Sequence, residues 1–128
     1  MPNGGYSLLL EKRIKEFNKI TNIDSDKSIS IRSFIVGSIS QGVSKVKNVL
    51  ESQDVFSTIN CLRKLGSKIK KIRQGQYEIY GKGLGSFHCK KNAILDFGNS
   101  GTAARLITGA LSANPNIQVK IKGDKSLN

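Results

Sequence analysis

The chain has 128 residues, enough for one small domain with a real core, and a net charge of +12 from 21 basic and 9 acidic residues. Its apolar fraction is 38%, and the 13 glycines bring it close to an ordinary globular composition, which excludes wholesale disorder. No apolar run is long enough for a membrane span or a signal-peptide core, which leads to the expectation of a cytoplasmic protein that does not engage membranes.

Residues 8–17 read either as a short amphipathic helix, with Leu10, Ile14 and Phe17 at helical spacing, or as strand and linker. "KITNI" (19–23) reads as a strand. From Ser28 to Ser40 the pattern is helical, with Ile31, Phe34, Ile35 and Ile39 on one face and Gly42 as its stop. A strand is expected over 43–49. Asp54 is expected to cap a second helix that buries Val55, Ile59, Leu62 and Leu65 and stops at Gly66. "SKIKKI" and "QYEIYG" then form two strands about a turn at Gln74–Gly75, and "AILDF" a further short strand. A third helix runs from about Thr102 to Ala113 with Ala103, Leu106, Ile107, Ala110 and Leu111 inward, and "IQVKIKG" alternates as a strand. The order amounts to one β-α-β-α-β-β unit and the start of a second, an α/β (α+β) class. "SIRSFIVGSIS" (30–40) and "AARLITGALS" (103–112) echo each other within it.

The chemistry concentrates at two helix starts. The first amides of a helix lack partners within it and carry partial positive charge, which makes a ready anion site. Lys27 and Ser28 precede Arg32 at one start, and Asn99, Ser100, Gly101 and Thr102 precede Arg105 at the other. Small residues let an anion approach the backbone, and arginine adds a planar fork suited to phosphate or carboxylate. Both openings are expected to face one shared pocket and to offer it uncapped amides. The plainer alternative is an ordinary cap and turn at each. Neither the P-loop pattern nor G-x-G-x-x-G is present.

The two cysteines fit free thiols in a reducing compartment, and His88–Cys89 has no second pair with which to hold zinc. The basic clusters "KIKKIR" (68–73) and "KK" (90–91) lack aromatic interleaving, which disfavours nucleic acid as a partner.

"DKSISIRSFIVGSIS", "LESQDVFSTINCLRKLG", "LDFGNSGTAARLITG" and "IKGDKSL" resemble, in order, signatures of the 3-phosphoshikimate 1-carboxyvinyltransferase (EPSP synthase) family. The resemblance runs from about Ile23 to the last residue. It implies an enolpyruvate-transferase fold of two lobes, each made of three β-α-β-α-β-β units, with helix N-termini pointing into the cleft between them. It implies transfer of enolpyruvyl from phosphoenolpyruvate to the 5-hydroxyl of shikimate 3-phosphate, in the shikimate pathway towards chorismate and aromatic amino acids. That reaction adds, then eliminates phosphate, and needs no metal or organic cofactor.

By position, Lys27, Ser28 and Arg32 would hold shikimate 3-phosphate. Lys27, Asn99 and Gly101 would meet phosphoenolpyruvate, and Thr102 and Arg105 would support that loop. No acid/base residue is assigned, because the resemblance puts those groups beyond the matched segments. The sequence departs from the family at Asp24–Ser25, where Pro-Gly is usual, and at Ile31, where histidine is usual; an added carboxylate at Asp24 should weaken anion binding. The last letters, "GDKSLN", come just before an expected Arg-Pro-Met. Residues 23–128 are therefore expected to form a truncated first lobe, inactive alone. Residues 1–22 would be either a lobe-crossing strand or an extension. Two alternatives accompany this reading: half of a split enzyme completed by a separately encoded remainder, and a basic nucleic-acid-binding module.

Overall fold

The computed structural model describes Leu9 and residues 25–127. The elements expected over 8–17 and 19–23, and Asp24, lie outside the described residues. In chain order the elements are α1 (Lys27–Ile39), β1 (Gln41–Val46), α2 (Gln53–Lys64), β2 (Lys68–Arg73), β3 (Gln76–Lys82), β4 (Ala93–Asp96), α3 (Gly101–Leu111) and β5 (Val119–Lys122). Strands β1, β3 and β2 form an antiparallel sheet with β3 in the middle, and β4 pairs with β5 in parallel. The parallel pair is joined through α3, because parallel neighbours need a crossover rather than a hairpin.

Helix α1 sits at the centre, packed on β1 and β3 and flanked by α2 and α3. Its Ile31 and Phe34 are fully buried with Val55, Leu62, Ile79 and Ile107. The Phe34 ring meets Tyr77 edge to face at 5.1 Å. The backbones of α1 and β3 approach so closely that a Cβ at Gly81 would collide with the carbonyls of Gly37 and Ser40. Helix α2 buries Val55, Ile59 and Leu62 as its spacing predicts, and also touches β2 and β4, so it links the sheet to the parallel pair.

Four expectations are corrected. Helix α1 ends at Ile39 with Ser40 extended; Gly42, at φ +89°, lies inside β1 and does not stop the helix. Ser52, not Asp54, is the N-cap residue of α2, and Asp54 falls in its first turn. On α3, Leu106 is 36% exposed, because α1 covers only part of that face. The regular alternation of "IQVKIKG" gives a strand of only four residues, since β4 offers four partners. No helix among the described residues is long and apolar enough to cross a membrane.

Candidate functional site

The start of α1 is built by Asp26, Lys27 and Ser28. Asp26 is extended, and its carboxylate accepts the Ile29 amide at 2.7 Å while its carbonyl accepts Ser30. That leaves the Lys27 and Ser28 amides with no intrahelical acceptor. The Lys27 ammonium pairs with Asp54 at 2.9 Å. Arg32, one turn on, folds back to donate through Nη1 to the Ser28 carbonyl at 3.1 Å. Arg32 also lines an apolar groove of about 340 Å³ between α1 and α3, with Ile35, Val36, Ile39, Leu106 and Ala110. Ile31, in the usual place of a histidine, is wholly buried and faces the core rather than this surface.

The start of α3 is built by the loop after β4. Asp96 accepts the Gly98 amide at 2.9 Å, and Gly98 turns the chain with φ +55°. Ser100 caps the helix: its hydroxyl accepts the Ala103 amide at 3.2 Å and its carbonyl accepts Ala104. The Gly101 amide already donates to the Asn99 carbonyl at 3.1 Å, so Thr102 carries the remaining first-turn amide. The Arg105 guanidinium folds back towards Gly101, and the Leu127 side chain also lies close to it. The resulting groove, of about 340 Å³, is bounded by Gly101, Ala104, Arg105, Lys122, Gly123 and Leu127.

The last described residues latch this loop. The Asp124 amide donates to the Gly98 carbonyl at 2.8 Å, and the Phe97 amide to the Lys122 carbonyl at 2.9 Å. The Asp124 carboxylate accepts the hydroxyl and the amide of Ser126, which hold its pKa below the usual value, with a smaller contribution from the Asn99 side chain. Asp96 is held below its usual value by the Gly98 amide first, and by Lys122 at 3.5 Å.

Helix α2 touches both starts, but among the described residues the starts line two separate grooves rather than the expected shared pocket, and each is partly capped, by Asp26 and by Ser100. Asp54 in its first turn holds Lys27, and Ser57, one turn along, lies against Gly98, where an added Cβ would be 3.5 Å from the Ser57 hydroxyl. Asp54, Ser57, Asp26 and Asp124 thus shape both starts, and none was singled out for this from the sequence. The capping residues had a sequence signal, since Asp26 and Ser100 each stand three positions before the amide they accept. The pairs Lys27–Asp54 and Asn99–Asp124 join distant positions and had none.

The sequence profile of the family described as EPSP synthase (3-phosphoshikimate 1-carboxyvinyltransferase) matches residues 12–128. The chain belongs to the EPSP synthase family. The match starts upstream of Ile23, where the quoted motifs begin. A 3-phosphoshikimate 1-carboxyvinyltransferase of Syntrophomonas wolfei is 40% identical over 119 residues, covering 93% of this chain and 27% of that protein. One from Magnetococcus marinus is 43% identical over 103 residues, covering 80% and 23%. The solved EPSP synthase from Acinetobacter baumannii superposes with a TM-score of 0.73 at 36% identity, over 84% of this chain and 24% of that one. The chain thus spans about a quarter of the length of these EPSP synthases, and its mixed α/β fold is theirs over that quarter.

Among the described residues no group of three His, Cys, Asp or Glu side chains is placed to hold a metal ion. Cys61 is buried, its thiol donates to the Asp96 carbonyl at 3.3 Å, and burial pushes its pKa up to about 11, so it belongs to the core.

Proposed function

We propose that this chain supplies the anion-holding part of a 3-phosphoshikimate 1-carboxyvinyltransferase. In this reading Lys27, Ser28 and Arg32 hold shikimate 3-phosphate, and Lys27 with the Asn99–Gly101 loop holds phosphoenolpyruvate. Thr102 and Arg105 support that loop. The observation that carries the reading is that one helix, α2, contacts both starts, through Lys27–Asp54 at 2.9 Å and Ser57 against Gly98.

The division of labour follows from physical chemistry. Both substrates are anions, and the amides of Lys27, Ser28 and Thr102 offer oriented dipoles that need no reorganisation on binding. The Asp54 carboxylate competes with a ligand anion for the Lys27 ammonium. Positioning and electrostatic stabilisation are what these residues contribute. The acid/base groups and water exclusion are assigned to the remainder of the enzyme, which the relatives carry in the other three-quarters of their length. These residues account for binding and positioning, not for turnover. Residues 23–128 form part of one lobe in this account.

Isothermal calorimetry with shikimate 3-phosphate on the chain and on Arg32→Ala tests the site. Saturable heat for the parent and its loss in the variant are expected. Equal heats for both would remove Arg32 from the site, and with it the carried-over assignment.

A further inference from the structure

The three-stranded sheet has a face that α1 does not cover. Strand register puts Val43, Tyr80 and Lys68 abreast, with Lys45, Glu78 and Lys70 in the next row and Gln41 beside Lys82. These positions alternate with Ile69, Tyr77 and Ile79, which are buried on the core side, so they face outward. The outward direction is confirmed by contacts: the Lys68 ammonium lies 4.6 Å above the Tyr80 ring, and Lys45 approaches Glu78 at 4.0 Å. Lys45, Lys68, Lys70 and Lys82 therefore share one face with a single acid, Glu78. Glu78 is partly spent on Tyr80, whose hydroxyl donates to it at 2.9 Å. Lys71 turns the other way, to Glu51.

We infer that this face binds single-stranded nucleic acid, a function separate from the helix-start site. Lysines two positions apart on a strand stand about 6.8 Å apart, and neighbouring strands about 4.8 Å apart, a grid of fixed cations that a flexible phosphate backbone can follow. Tyr80 in the middle supplies an aromatic platform for a base. A base stacking there takes the place of the Lys68 ammonium and releases it to an adjacent phosphate. An acidic membrane would engage the same lysines but make no use of the Tyr80 ring as a stacking platform.

The test is fluorescence anisotropy with a labelled oligothymidylate over a salt series, on the parent and two variants of equal charge. One replaces Lys45, Lys68, Lys70 and Lys82 by Gln; the other replaces Lys90, Lys91, Lys120 and Lys125, which lie off the sheet. At about 50 mM salt the face variant should bind at least about tenfold more weakly than the off-sheet variant, and the slope of log affinity against log salt should fall by about 2.8 from the parent value, or 0.7 per lost phosphate contact. Tyr80→Leu, with no charge change, should weaken binding about fivefold or more. Amide shift mapping on the unaltered chain guards against misfolded variants and should light up β1, β2 and β3. Equal weakening by both lysine variants, shifts confined to the helix starts, or binding to phosphatidylserine vesicles without binding to the oligonucleotide would each overturn the proposal.

Discussion

Under the proposed function, the starts of α1 and α3 would serve one task by opposite means. At α1 the cations lie on the helix and remain accessible: Lys27 is half-exposed on Asp54 and Arg32 lies along the surface. At α3 the loop is covered by later chain, with Asp124 on Gly98 and Asn99, and Leu127 close to Gly101. In that reading an anion would meet α1 as an exposed, charged rim and α3 as a pre-formed, latched turn. The family motif at α3 is accordingly small residues and backbone, whereas at α1 it is side-chain charge.

The largest expected effect comes from removing what seats the latched start. Phe97 is fully buried directly before the loop, so Phe97→Ala should cost about 3–5 kcal/mol in denaturant unfolding. It should also blunt amide protection over 98–102 more than at α1. If α1 loses protection equally, the two starts are one cooperative unit and the contrast fails.

Next come the caps. Asp26→Ala and Ser100→Ala should each cost about 1 kcal/mol. Asp26→Ala also removes a carboxylate from the exposed rim, so it should bind shikimate 3-phosphate more tightly despite lower stability. Ser100→Ala should only weaken the latched loop.

Acid sharpens the comparison from the α2 side. Glu51, just before α2, accepts Lys71 at 2.8 Å, the Tyr77 hydroxyl at 2.7 Å and the Gly75 amide at 3.1 Å. The Lys71 bond first, then the Tyr77 bond, lowers its pKa from 4.5 to about 2. A lowered folded-state pKa gives stability that is present above the ordinary value and lost as pH falls through the folded one. Thermal midpoints should therefore decline between about pH 4.5 and 2, and Glu51→Gln should remove part of that slope. Asp96 and Asp124 have lowered values too, so the remaining slope should report the latched loop.

The smallest effect on stability is expected at the rim ion pair. Asp54→Asn should change unfolding free energy by under about 1 kcal/mol, since Lys27 is half-exposed. It should raise affinity for shikimate 3-phosphate by freeing Lys27. Unchanged affinity would mean that Lys27 does not reach the ligand.

Periodicity made α1, α2, the β2–β3 hairpin and α3 legible, because each has an apolar spacing and a turn or cap that belong to its own few residues. The same logic failed for Asp54, which looks like a cap and instead pairs across helices with Lys27. It failed for Leu106, whose exposure depends on how far α1 extends over α3. At the candidate site the sequence carried the two glycine- and serine-rich starts and their arginines. It did not carry the Asn99–Asp124 latch, nor the lysine face, since Lys45 and Lys82 join Lys68 and Lys70 only through strand register. Ser100 illustrates both readings at once: it is an ordinary cap, and it leaves only Thr102 of the first-turn amides to a ligand.

The most direct test is one titration: amide shifts of the isotope-labelled chain on addition of shikimate 3-phosphate and then phosphoenolpyruvate. The expected result is saturable shifts at Lys27, Ser28 and Arg32 with the first ligand and at Asn99–Thr102 with the second. Shifts that spread over the lysine-bearing sheet, or that leave both helix starts unmoved, would contradict the proposed function.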